Sequence, residues 1–169
     1  MKNLKYHEIL NLNKELGNST DKPYNISILS NVIVHQGKEI IEYLLRDSGI
    51  NANIVLGDYD NIVHDSQKQI TTNATIIFWE LCNLVDGAQY KVDLLTEDES
   101  RALEYKIKSE IEFVVKNLKH CPLLLINKFS SLFFSKLAIT NNKLDELSER
   151  LNRFIETLNQ PNIELINLD

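Results

Sequence analysis

Hydrophobic positions along this chain switch repeatedly between stripes at helical spacing and short continuous runs. Leu4, Ile9, Leu10, Leu12 and Leu16 predict a first helix over Leu4–Leu16, which Gly17 can stop. A polar, turn-rich stretch follows. Residues 1–22 therefore read as an N-terminal helix and linker, and 23–169 as the main domain. Ile26–Leu29 has the pattern of a short strand. Ile40, Ile41, Leu44 and Leu45 predict a helix over Glu39–Asp47, with Gly49 placed as its C-terminal cap. Asn53–Leu56 is a second strand, closed by Gly57. Ala74–Trp79 is a third, apolar at successive positions, as suits a parallel strand covered by helices.

Thr96 and Glu99 have the spacing of a capping box. The helix they open runs to about Leu118, with a stripe of Leu103, Ile107, Ile111, Val114, Val115 and Leu118. Leu123–Ile126 is a fourth strand. Leu144, Leu147, Leu151, Phe154, Ile155 and Leu158 mark a last helix, and Ile163–Ile166 a fifth strand. Strands alternating with helices imply a parallel sheet covered on both sides. The expected fold is α/β: a three-layer, flavodoxin-like arrangement of five parallel strands in the order 2-1-3-4-5.

Composition narrows the function. The 169 residues suit one domain with its own core. Net charge is −6 and the pI about 5.3, which argues against binding nucleic acid through phosphate contacts. Two cysteines, Cys82 and Cys121, make no disulfide framework. No apolar run approaches the roughly 18 residues of a membrane span, and the N-terminus lacks a signal peptide's apolar core. The expectation is a cytoplasmic protein, in which the sequons at Asn18, Asn25 and Asn73 are incidental.

In an open parallel sheet, ligands bind beyond the carboxyl ends of the strands. Those ends are Ser30-Asn31, Gly57-Asp58-Tyr59-Asp60, Glu80-Leu81-Cys82-Asn83, Asn127-Lys128-Phe129-Ser130-Ser131 and Asn167-Leu168-Asp169. Asn occurs at four of the five. The chain carries 19 asparagines in all, however, and Asn favours caps and turns anyway. Two readings stand side by side: structural amides, or an amide and hydroxyl cluster around a small polar ligand. The possible pocket comprises Asn31, Asp58, Glu80, Asn127, Lys128 and Asp169, with Glu80 placed to orient Lys128 or a water.

Several familiar sites are missing. Gly37-Lys38 lacks the rest of a phosphate-binding P-loop, and no G-x-G-x-x-G occurs. Asp58-Tyr59-Asp60 continues Asn61-Ile62, without the Thr or Val of a haloacid-dehalogenase phosphotransfer motif. His7, His35, His64 and His120 are scattered, so neither a metal site nor a cofactor is expected. Trp79 reads as core. The stretch Phe129, Leu132, Phe133 and Phe134 reads as core packing, with a lid or docking surface as the alternative.

The segments Ile26–Asn31 and Ile54–Tyr59, with the helix between them, resemble the amino-terminal domain of FkbH-like proteins, itself similar to SGNH (GDSL-type) hydrolases. The resemblance spans about residues 24–169. It implies Ser30 as candidate nucleophile after strand 1, with the Gly57 N–H and the Asn83 amide completing an oxyanion hole. Ile28-Leu29 replaces the usual Gly-Asp before the serine, and Leu81-Cys82-Asn83-Leu84 replaces the Gly-x-Asn-Asp block. The Asp-x-x-His block that would supply the catalytic base is absent. His35 and His64 lie on the site side of the sheet as substitutes.

The resemblance also implies a biosynthetic context, in polyketide or surface-polysaccharide pathways. Its expected partners are a haloacid-dehalogenase-like enzyme domain or subunit and an acyl carrier protein. A non-catalytic or partner-dependent domain that binds a carrier protein or small polar ligand is the leading expectation. An SGNH-type esterase or acyltransferase acting through Ser30 is the alternative.

Overall fold

A computed structural model describes residues 4–68, 71–130, 143–158 and 160–168. Five strands form one all-parallel sheet: β1 (Tyr24–Ser30), β2 (Ala52–Leu56), β3 (Ala74–Phe78), β4 (Leu124–Asn127) and β5 (Ile163–Ile166). Their order is β2-β1-β3-β4-β5, as the sequence pattern led us to expect. The helices are α1 (Tyr6–Leu16), α2 (His35–Asp47), α3 (Ile62–Asp65), α4 (Leu81–Leu84), α5 (Ala88–Lys91), α6 (Glu97–Asn117) and α7 (Lys143–Thr157). A 3₁₀ turn at Val92–Leu94 precedes α6. The short helices α3, α4 and α5 leave no periodic signal in the sequence, because one turn is too short to show a stripe.

Strand residues alternate between two cores. Leu29, Ile77, Leu124 and Ile126 join Ile107, Ile111, Val114 and Val115 of α6 and Leu144, Leu147, Leu151 and Ile155 of α7. Ile26, Ile28, Ile54 and Ala74 face the other way, against Val34, Ile41 and Leu45 on and before α2. The expected stripes of α6 and α7 are thus buried, apart from partial exposure of Leu103, Phe154 and Leu158, whereas Leu10 and Leu16 of α1 and Leu44 of α2 are exposed. Thr96 and Glu99 form the expected capping box, and the Thr96 N–H holds the Glu99 carboxyl below its ordinary pKa.

α1 docks on α2 through a polar network. Buried Asn13 donates to Glu39 and Glu42, at 3.1 and 3.2 Å, and accepts from Arg46 at 2.8 Å. Arg46 also donates to Ala52 O, and Glu42 accepts the Ile54 N–H at 2.8 Å. These side chains satisfy backbone groups of β2, an outer strand of the sheet, and so close an edge that would otherwise template further pairing. No helix among the described residues is long and apolar enough to cross a membrane.

Candidate functional site

The carboxyl ends of β1 and β3 are where the chain leaves the sheet in opposite directions, and the backbone ladder runs out there. Ser30 pairs with Phe78 in register, and the Asn31 N–H still reaches Phe78 O at 3.2 Å. Beyond that point side chains replace backbone. Asn31 Oδ1 accepts the Glu80 N–H at 2.8 Å, and its Nδ2 donates to Glu80 O at 2.9 Å. Asn127 treats Trp79 the same way: Oδ1 accepts the N–H at 2.7 Å, and Nδ2 donates to the carbonyl at 2.8 Å. A third copy lies one step on, where Asn152 of α7 accepts the Phe129 N–H at 2.7 Å and donates to its carbonyl at 2.8 Å.

An asparagine amide has the donor and acceptor of a peptide unit, so each pair imitates one rung of a ladder. Buried Asn31 and Asn127 thereby meet the polar needs of backbone that the diverging strands would leave unpaired. Asn152 could not be seen in advance, because it is a single polar position within the stripe of α7.

The other candidate residues are engaged as well. Buried Ser30 folds its hydroxyl back on Val32, accepting its N–H at 3.0 Å and donating to its carbonyl at 2.9 Å. The Gly57 N–H donates to Ile28 O at 2.8 Å, and Asn83 Nδ2 donates to Asn31 O at 3.0 Å. Glu80 caps α4, accepting from the Cys82 and Asn83 N–H groups at 2.9 and 2.6 Å. Lys128 pairs instead with Glu156 at 2.7 Å, so Glu80 and Lys128 do not meet. Asp169, Leu132, Phe133 and Phe134 lie outside the described residues. Phe129 is buried and stacks on Trp79, with ring centroids 6.4 Å apart.

Asp65 is a site residue that sequence reasoning missed. Its buried carboxylate accepts the Asp58 N–H at 2.6 Å and pairs with Lys68 Nζ at 2.6 Å. That bond to Asp65, with a second to Asp58, raises the Lys68 pKa. The same carboxylate explains Gly57: an added Cβ would lie 2.5 Å from Asp65 Oδ2 and 2.8 Å from Leu29 Cδ2. Glycine here makes room for a buried acid.

Chemically, the Gly57 N–H and the Ser30 hydroxyl are already bonded within the chain, and one of the two Asn83 amide hydrogens goes to Asn31 O. Ser30 bonds to Val32, whereas His35 opens α2 and His64 lies in α3. The Cys82 thiol is pushed up to about 11 by burial and by the Glu80 charge, so it stays protonated and a poor nucleophile at neutral pH. Among the described residues, no three His, Cys, Asp or Glu side chains gather as a metal site.

No family model matches the sequence, and no curated protein does. The fold is shared with a solved structure, the crystal structure of the N-terminal part of the protein BF1531 from Bacteroides fragilis, containing a phosphatase domain complexed with Mg. It superposes with a TM-score of 0.71 at 14% identity, over 98% of this chain and 45% of that one. The present chain thus spans less than half of the protein it matches. The XylFII molecule covers 95% of this chain and 57% of its own at 16% identity, but its TM-score of 0.30 carries no argument. The shared feature is the α/β fold with its five-stranded parallel sheet.

Proposed function

We propose that this chain is a non-catalytic domain of an FkbH-like biosynthetic system, working beside an enzymatic domain or subunit of the haloacid-dehalogenase type. The observation that carries the reading is the state of the oxyanion donors. A backbone N–H has one hydrogen, and that of Gly57 is already given to Ile28 O. The Ser30 hydroxyl is likewise closed on Val32, donating its hydrogen to the Val32 carbonyl rather than to a base. A pocket evolved for tetrahedral intermediates would leave those donors aimed at empty space. The fold shared with part of BF1531, whose crystal structure contains a phosphatase domain, supports the choice of partner.

The alternative, an SGNH-type esterase or acyltransferase, is favoured by one feature: Ser30 ends β1, and Asn83, in α4 just past the neighbouring β3, bonds the Asn31 carbonyl beside it. A fluorophosphonate probe separates the two. The intact protein is expected to remain unlabelled. Labelling that disappears in Ser30→Ala would overturn the proposal and establish the alternative.

A further inference from the structure

Two large apolar side chains are exposed in the loops that follow β1 and β2. Ile33, in the loop after β1, is 81% exposed, and Tyr59, in the loop after β2, is 63% exposed. The loops are neighbours: the Asp60 N–H donates to Ser30 O at 3.1 Å, and Ser30 in turn holds Val32. Tyr59 is also fixed from both sides. Before it, the Asp58 N–H is anchored on buried Asp65. After it, Asp60 takes a left-handed conformation at φ 54°, and is the non-glycine residue with positive φ among the described residues. Tyr59 thus carries its ring on a backbone fixed on both sides, and an aromatic with two side-chain torsions loses little entropy on docking, as suits an interface anchor.

The surrounding charge selects the partner. Asp58, with its side chain 72% exposed, and Asp60 flank Tyr59 directly. Lys68 is the nearby cation, and its charge is already shared between Asp58 and Asp65. Along the chain after β3 come Asp86, Asp93, Glu97 and Asp98, against Lys91, Arg101 and Lys143, whose N–H bonds Asp93. We infer that Ile33 and Tyr59, framed by Asp58 and Asp60, form a docking surface for a protein partner that presents an apolar pocket rimmed by Lys and Arg. The surface disfavours an acyl carrier protein, whose own acidic face would be repelled. The inference rests on the reading of this chain as a docking domain, and specifies where it docks and on what.

The test is site-specific photo-cross-linking in the source cells, with p-benzoylphenylalanine at Ile33 and, as control, at Tyr105, which is 74% exposed on α6. Position 33 is expected to capture a protein through a Lys/Arg-rich segment. Tyr59→Ala should lower the yield about tenfold or more, as for an anchor residue. The double variant Asp58→Asn/Asp60→Asn keeps the side-chain shapes, and Asn tolerates the left-handed conformation. It should lower capture while leaving thermal unfolding in place. Equal capture at positions 33 and 105, capture through an acidic segment, or indifference to these substitutions would overturn the inference. Serine-probe labelling is scored separately, so failure here with Ser30 unlabelled leaves the non-catalytic reading standing.

Discussion

Removing the Asn127 amide distinguishes a structural asparagine from one kept for a ligand. In Asn127→Ala, the Trp79 N–H and C=O both lose their partner, and Lys128 O loses a third bond. Asn127 is buried, 3% exposed, so water does not simply take over. A buried polar group left unpaired costs about 1–3 kcal/mol. Two such groups, with partial relaxation, give a loss of about 2–4 kcal/mol. Urea unfolding followed by Trp79 fluorescence measures it. With a slope of about 2 kcal/mol/M for a domain of this size, the midpoint should fall by about 1–2 M at unchanged slope. Asn53→Ala is the reference, since exposed Asn53 bonds only Asn25, at 3.0 Å, and should cost no more than about 0.5 kcal/mol. If Asn127→Ala costs as little as Asn53→Ala, the strand-end amides are not holding the backbone and the ladder argument is wrong.

Gly57→Ala forces a methyl group against the Asp65 carboxylate and Leu29, and should cost about 1–3 kcal/mol in thermal or urea unfolding. The Asp58 amide resonance should move with it, because the Asp58 N–H bonds the displaced carboxylate. Glu104 ties α6 to α7 through Arg150 at 2.7 Å and to Lys108 at 2.6 Å. Burial pushes its carboxyl up, but the two cations outweigh this and hold it below its ordinary pKa. A depressed folded pKa stabilises above the unfolded value, and the gain is lost as pH falls through the folded one. Glu104→Gln should therefore cost about 1 kcal/mol at pH 7, with the difference from wild type shrinking toward pH 3 in paired urea titrations.

Periodicity made the frame legible. The short strand patterns at 26–29, 74–79 and 123–126 became the three inner strands, and the stripes of α6 and α7 became one core layer. Burial of a repeating face depends on local spacing, and local spacing is written in the chain. Asn13, Glu42 and Arg46 lie outside the apolar stripes that sequence reading follows, yet together they meet the Ala52 carbonyl and the Ile54 N–H of β2. The partners of Asn13 lie 26 to 33 positions away in α2, so nothing local to α1 announces the network.

The candidate site divides in the same way. The sequence by itself determined which residues stand at the carboxyl ends of the strands, since that follows from strand boundaries and a parallel sheet. It determined that asparagine is frequent there. Only the tertiary structure decided where each polar group spends its hydrogen bonds. The Glu80 carboxyl turned to its own helix, Asn31 and Asn127 turned to the backbone of β3, and Asp65 occupied the space that Gly57 leaves open. A side chain's type fixes what it can donate or accept. Which partner it finds depends on groups brought together from distant positions, and that is settled only when the strands diverge and their last peptide units need partners.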